Sequence, residues 1–152
     1  RRDALAKDCE YFFGKDWRNI IYPTEQGRRY VDRIREVSHK EPELLVAHHY
    51  TRYLGDLSGG QILKGIAQKA LNVGEEGLNF YNFPLIKDSK EFKSEYRSTL
   101  DQLPITESQA NSIIVESNYV FRLNMYMFDE LDGDLFKSLV KVFWGFVKGI
   151  FK

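Results

Sequence analysis

Cysteine, proline and net charge are all scarce in this sequence of 152 residues. Cys9 is the single cysteine, which excludes an internal disulfide and every metal site that needs several cysteines. The 22 basic and 22 acidic residues cancel, so no overall field would draw the chain to nucleic acid, and any anion must be bound by locally placed groups. The sequence begins at Arg1 without a basic and apolar leader, so we expect no signal peptide and a fragment or trimmed product.

Helical periodicity dominates what remains. Several stretches carry apolar residues three and four positions apart, and no stretch alternates convincingly as a strand would. Apolar residues make up 43% of the chain, which is enough to bury one core. We therefore predict an all-α fold with capping residues such as Asp3, Asp88 with Glu91, and Thr106 with Gln109. The predicted helices span about 3–13, 24–38, 42–71, 88–103 and 106–133.

The end of the chain, 132–152, differs from the rest because large apolar residues follow one another closely, interrupted by four lysines. It is too short and too charged to predict a membrane span. Two interpretations stay open: a packed terminal helix, and a helix that lies on a membrane surface or leads to an anchor.

Three closely spaced glycines, Gly55, Gly59 and Gly60, interrupt the centre of the strongest helical pattern, EPELLVAHHYTRYLGDLSGGQILKGIAQKAL at 41–71. An interior glycine costs about 0.8 to 1 kcal/mol relative to alanine, so Gly55, Gly59 and Gly60 together cost roughly 2.5 to 3 kcal/mol. Glycine offers a bend or a very close approach of the main chain to a neighbour. We expect one of these to be required here.

On an ideal helix, one sector of roughly 100° would combine bare main chain with a carboxylate. This sector contains His48, Arg52, Gly55, Asp56 and Gly59. A flat apolar ligand lying there would meet main chain, with Asp56 at its edge. Alternatively, the Gly55-x-x-x-Gly59 spacing only lets another helix pack closely, and the spacing itself does not decide between the two.

Residues 50–61, YTRYLGDLSGGQ, resemble the motif of the biliverdin-producing heme oxygenases almost letter for letter. Similar stretches of that family match RYVDRI at 29–34, FKSEYR at 92–97 and VFRLN at 120–124. The resemblance covers about 2–131. It implies a multi-helical bundle with a kinked, glycine-rich distal helix, a catalytic domain over 1–131 that is incomplete at its amino terminus, and a separate segment over 132–152.

The resemblance also implies a reaction. The enzyme would open the heme ring at a meso carbon with dioxygen, giving biliverdin, carbon monoxide and ferrous iron. NADPH would supply the electrons through an NADPH-cytochrome reductase. Heme would then be both substrate and cofactor. The implied location is the cytoplasmic face of the endoplasmic reticulum membrane, or the cytoplasm.

Four catalytic residues follow from the same resemblance. Gly55 and Gly59 would lie against the distal face of heme, where their lack of side chains leaves room for dioxygen. The ring would rest on bare main chain at all three glycines. Asp56 would organise water that delivers protons to the bound oxygen, and Arg52 would help to hold Asp56 and its water.

Five further residues match positions that contact heme in the family. Lys93 and Arg97, one helical turn apart, would meet the two propionates. Tyr50 would contribute on the propionate side, although ideal helix geometry places it off the glycine sector. Phe121 and Asn124 would line the pocket.

The histidines depart from the family pattern, because the axial histidine of the first family helix is expected to be absent from this chain. His39, His48 and His49 are the histidines present, and we expect none of them to replace it. The sequence therefore keeps two alternatives to the enzyme. One is a heme-binding or sensing module without turnover, and the other is a helical, membrane-peripheral interaction protein.

Overall fold

The computed structural model describes residues 1–131, which fold into helices and contain no strand. The predicted all-α fold is confirmed, whereas the segment 132–152 lies outside the described residues. The α-helices are α1 (Arg2–Phe13), α2 (Trp17–Ile20), α3 (Glu25–Lys40), α4 (Leu45–Leu71), α5 (Ser89–Asp101) and α6 (Glu107–Asp129), with 3₁₀-helices at Pro42–Leu44 and Asn79–Tyr81.

Side-chain caps begin α5 and α6 where the sequence predicts them. The Asp88 carboxylate accepts hydrogen bonds from the backbone N–H groups of Lys90 and Glu91, at 2.7 and 3.0 Å. Thr106 and Gln109 form a reciprocal capping box, in which each side chain accepts from the other residue's backbone N–H. The prediction for Asp3 is wrong: α1 begins at Arg2, with Arg1 at the N-cap position, so this carboxylate lies inside the first turn.

Two predicted helix ends are also too late. The helix predicted to reach 103 ends at Asp101, and the helix predicted to reach 133 ends at Asp129. The glycines of 41–71, in contrast, do not end α4, which stays α-helical over 27 residues. Tertiary contacts must therefore offset the helix-forming cost of the glycines.

The chain folds as two compact units that are interleaved in the sequence. The first unit comprises 1–22 and 52–110, and the second comprises 23–51 together with the residues from 111 onwards. In the second unit, Tyr30 of α3 and Val120 and Leu123 of α6 form a buried cluster. The first unit contains most of the predicted site residues and is described below.

One buried carboxylate joins three helices of the second unit. Glu116 of α6 is 4% exposed, and its carboxylate accepts hydrogen bonds from Nε and Nη2 of Arg33, at 2.9 and 2.6 Å. The Nε2 atom of buried His48, on α4, lies 3.0 Å from the same carboxylate. Burial lowers the pKa of His48, against the opposing effect of Glu116, so we assign the neutral imidazole with Nε2 as the donor.

Candidate functional site

Asp56 is a largely buried carboxylate on α4 that is paired with an arginine. Its side chain is 16% exposed, and Oδ1 lies 3.3 Å from Nη2 of Arg52, one turn earlier on the same helix. Burial raises the pKa of Asp56, whereas the positive charges of Arg52 and Arg1 lower it, and the net direction is upward. This carboxyl therefore holds a proton more readily than an exposed aspartate does, and it can exchange that proton with a neighbouring water.

Bare main chain lies next to this acid at Gly55. Gly55 is exposed, and a Cβ built there would meet no described atom within 4 Å. A neighbouring helix that needs this glycine for close packing is therefore not found among residues 1–131. The surface beside Asp56 is open to a ligand, as the ligand interpretation of the glycine sector requires.

Gly60 serves a different purpose. A Cβ at Gly60 would lie 3.4 Å from Cδ1 of Tyr81 and 3.5 Å from Cβ of Asp56. The expectation of bare main chain at all three glycines is thus wrong for Gly60, because the Tyr81 ring covers it. Gly59, between these two environments, is half-buried.

The two predicted propionate ligands lie on α5, in the same unit. Nζ of Lys93 is 3.4 Å from Oγ of Ser58, the residue that precedes Gly59 on α4. Nη1 of Arg97 lies 3.5 Å from the carbonyl oxygen of Lys93. A cation of α5 therefore reaches the glycine-rich stretch of α4, where it can meet an acidic group of a ligand.

The remaining predicted site residues belong to the second unit. Tyr50, Phe121 and Asn124 are each half-buried, and Nδ2 of Asn124 donates to the carbonyl oxygen of Val120 at 2.8 Å. His48 lies in the same ideal helix sector as Asp56, but its Nε2 atom is hydrogen-bonded to the carboxylate of Glu116. The ideal helix sector therefore contains one residue, His48, whose contacts are structural.

Three residues of the first unit were missed by the sequence analysis. Asp8 of α1 is buried and binds the 3₁₀-helix Asn79–Tyr81, and Gln61 donates to the carbonyl oxygen of Tyr81 at 2.8 Å. Only the aromatic stretch NFYNF at 79–83 could have indicated a packed loop. Nothing in the sequence distinguishes Asp8 from a solvent-facing helix carboxylate.

None of the three histidines belongs to the first unit. Nδ1 of His39 lies 2.7 Å from the carbonyl oxygen of Arg35, and His49 is exposed on α4. Within 1–131, no group of three or more His, Cys, Asp or Glu side chains could hold a metal ion.

Comparison with known proteins gives a consistent result. The family profile described as heme oxygenase matches residues 1–130. The chain is 50% identical to the heme oxygenase of Porphyra purpurea over 143 residues, and 51% identical to heme oxygenase 1 of a Nostoc species over 140 residues. These alignments cover 93% and 91% of this chain but 61% and 59% of the relatives. The chain thus spans about three fifths of the length of these curated relatives.

Solved structures agree with the sequence comparison. The crystal structure of heme oxygenase-1 from the cyanobacterium Synechocystis, in complex with heme, superposes with a TM-score of 0.84 at 46% identity, covering 97% of this chain and 66% of that one. The heme oxygenase structure from Leptospira interrogans gives 0.81 at 50% identity, covering 86% of this chain and 64% of that one. The predicted fold, a multi-helical bundle like that of the heme oxygenases, is confirmed.

Proposed function

The chain belongs to the heme oxygenase family, and we propose that its first unit forms the distal side of a heme site in an enzyme that opens heme to biliverdin, carbon monoxide and ferrous iron. The observation that carries this proposal is the open main chain at Gly55 directly beside the buried, arginine-paired carboxylate of Asp56. A flat macrocycle can approach such a surface, and an acid with a raised pKa lies at its edge.

The residues present fit heme in two respects. A side chain at Gly55 would project into open space, so the glycine leaves a place that a ring can fill. The ammonium group of Lys93 is held near the glycine-rich stretch through Ser58, and a cation there suits a propionate. The first unit contains no histidine, so an imidazole for the iron would have to come from outside its residues.

In the proposed mechanism, Asp56 orients water and passes protons toward the distal face. Its raised pKa makes it a more available proton donor to water than an exposed aspartate, and the charge of Arg52 limits that rise and holds the carboxylate. Heme, when bound, supplies the iron at which dioxygen reacts. Gly55 and Gly59 leave the space that the reacting oxygen needs.

The other predicted contacts stay proposals. Lys93 and Arg97 would orient heme through its propionates rather than drive its binding, because exposed ion pairs contribute only about 0 to 1 kcal/mol. Tyr50, Phe121 and Asn124, which belong to the second unit, stay proposed heme contacts on the strength of the family resemblance. Dioxygen and electrons from NADPH, delivered by a reductase, are the co-substrates that this reaction requires.

The proposed location receives no support from the described residues. No helix in 1–131 is long and apolar enough to cross a bilayer. The predicted membrane contact and the endoplasmic reticulum location depend on 132–152, which lies outside the described residues.

Turnover by the 152-residue chain tests the enzyme proposal directly. We expect hemin to bind, and addition of ascorbate under air to replace the Soret band with the absorption of a bile pigment. Because the first unit offers no imidazole, the assay is run with and without added imidazole as an external ligand. A Soret band that persists under both conditions, with no pigment extracted, would instead favour the alternative of a heme-binding module without turnover.

A bulky residue at Gly55 should separate ligand binding from folding. We expect Gly55→Leu to weaken hemin binding by about tenfold or more, because the side chain would occupy the open surface. The same change should leave the heme-free chain as stable or up to about 1 kcal/mol more stable, since leucine forms helix better than glycine. Hemin titration and urea unfolding measure the two effects.

Gly65 provides the matched control. It lies on α4, is exposed, and a Cβ there would also meet no described atom within 4 Å. Gly65→Leu should give the same change in stability while hemin binding stays as in the wild type. Equal weakening by both substitutions would argue against a heme surface at Gly55.

A further inference from the structure

Asp8 is a buried carboxylate for which the proposed reaction has no direct use. It lies on α1 and is 6% exposed. Its Oδ1 accepts hydrogen bonds from the backbone N–H and from Nδ2 of Asn79, at 2.8 and 2.9 Å, and its Oδ2 accepts from the backbone N–H of Phe80 at 2.7 Å. Short charge-assisted bonds of this kind are among the strongest in proteins. Asp8 therefore fixes the beginning of the 3₁₀-helix Asn79–Tyr81.

A single 3₁₀ turn has little stability of its own, so its position depends on such anchors. A second anchor comes from α4, where Gln61 donates to the carbonyl oxygen of Tyr81 at 2.8 Å. The Tyr81 ring lies over Gly60, which has no side chain to hold it away. The turn is thus held between α1 and α4.

The Tyr81 ring is also a neighbour of the proposed acid. A Cβ at Gly60 would be within 3.5 Å of both the ring and the Cβ of Asp56, so ring and carboxylate lie on the same surface of α4. Burial raises the pKa of Tyr81, and the negative charge of Asp56 raises it further. The Tyr81 hydroxyl and the Asp56 carboxyl therefore interact electrostatically in an environment that is poorly solvated.

From these contacts we infer that Asp8 is a positioning residue for Asp56: by fixing the turn Asn79–Tyr81, it holds the Tyr81 ring against Gly60 and so excludes water from one side of the Asp56 carboxyl. The inference rests on the proposed function only for the role of Asp56 as the reacting acid. The arrangement of side chains can be tested without heme.

The test is a titration of the aspartate carboxyls in the heme-free 152-residue chain, followed by ¹³C NMR. If the ring shields Asp56, Asp8→Asn and Tyr81→Ala should each lower the pKa of Asp56 by about half a unit or more, since hydration favours the ionised form. The double variant should shift it no further than the larger single change, because both substitutions remove the same shield. A direct charge effect of Asp8 would instead add to the effect of Tyr81→Ala.

Asp3→Asn is the control, because it removes an equal charge from α1 at an exposed position and should leave the pKa of Asp56 unchanged. Should Asp8→Asn not fold, Asn79→Ala removes only one of the three bonds to Asp8 and should produce part of the shift. An unchanged Asp56 pKa in folded Tyr81→Ala, or full additivity in the double variant, would overturn the inference.

With hemin bound, Asp8→Asn should slow pigment formation about tenfold while the hemin dissociation constant stays near that of the wild type, as expected of a misplaced acid. Absence of pigment from the wild-type chain would count against the proposed function alone. The titration of the heme-free protein would still decide the role of Asp8.

Discussion

Asp56→Ala is expected to bind hemin with an affinity near that of the wild type and to lose bile-pigment formation by about 100-fold or more, the range over which a positioned acid or base contributes to catalysis. The carboxylate is largely buried, paired with Arg52 and adjacent to the open main chain at Gly55. Its loss removes the group that we propose orders the protonating water but leaves the surface on which the ring would rest. Hemin titration and single-turnover pigment yield measure the two quantities separately.

Asp101→Asn is a suitable control, because it changes an exposed carboxylate at the end of α5 in the same unit. Its pigment formation should equal that of the wild type. Unchanged product formation by Asp56→Ala would refute proton delivery by this residue, whereas a parallel loss of hemin binding would indicate that Asp56 holds the site together.

The sequence predicts the parts of this fold that are encoded over three or four residues. Thr106 and Gln109 lie within one turn, so their capping box is visible in the sequence and is present in the structure. The motif at 50–61 likewise brings Arg52 and Asp56 together, because residues four apart on a helix are neighbours.

The contacts that the sequence does not reveal join residues far apart in the chain. Asp8 binds a turn 71 residues away, and Arg33 binds Glu116 across 83 residues. Each of these acids lies on a helix, where an exposed position is the usual expectation for a carboxylate. The role of Gly60 also depends on a residue far away in the sequence, Tyr81, whose ring covers it. The sequence predicts one role for the three glycines, whereas in the structure Gly55 is open and Gly60 is covered.

The carboxylate of Glu116 illustrates how much such a long-range contact contributes to stability. Glu116→Ala should lower the free energy of unfolding by about 3 kcal/mol, the lower end of the 3 to 5 kcal/mol found when one partner of a buried pair is removed. The lower end applies because the Arg33 side chain is 24% exposed and keeps a second partner in Glu36, at 2.8 Å. Urea unfolding of the heme-free chain measures the change, which corresponds to a fall of about 6 to 12 °C in Tm.

The cause of this loss can be separated from the cavity that alanine leaves. If the cost comes from unpaired donors, combining Glu116→Leu with Arg33→Met should restore part of the stability, because apolar residues of similar size can replace a buried ion pair at little cost while the His48 donor stays unpaired. Glu36→Gln is the control, since it removes an exposed partner of the same arginine and should have a much smaller effect. Equal losses from Glu36→Gln and Glu116→Ala would mean that the arginine is held from the surface, and the packing of α3 on α6 would then depend on the apolar cluster of Tyr30, Val120 and Leu123.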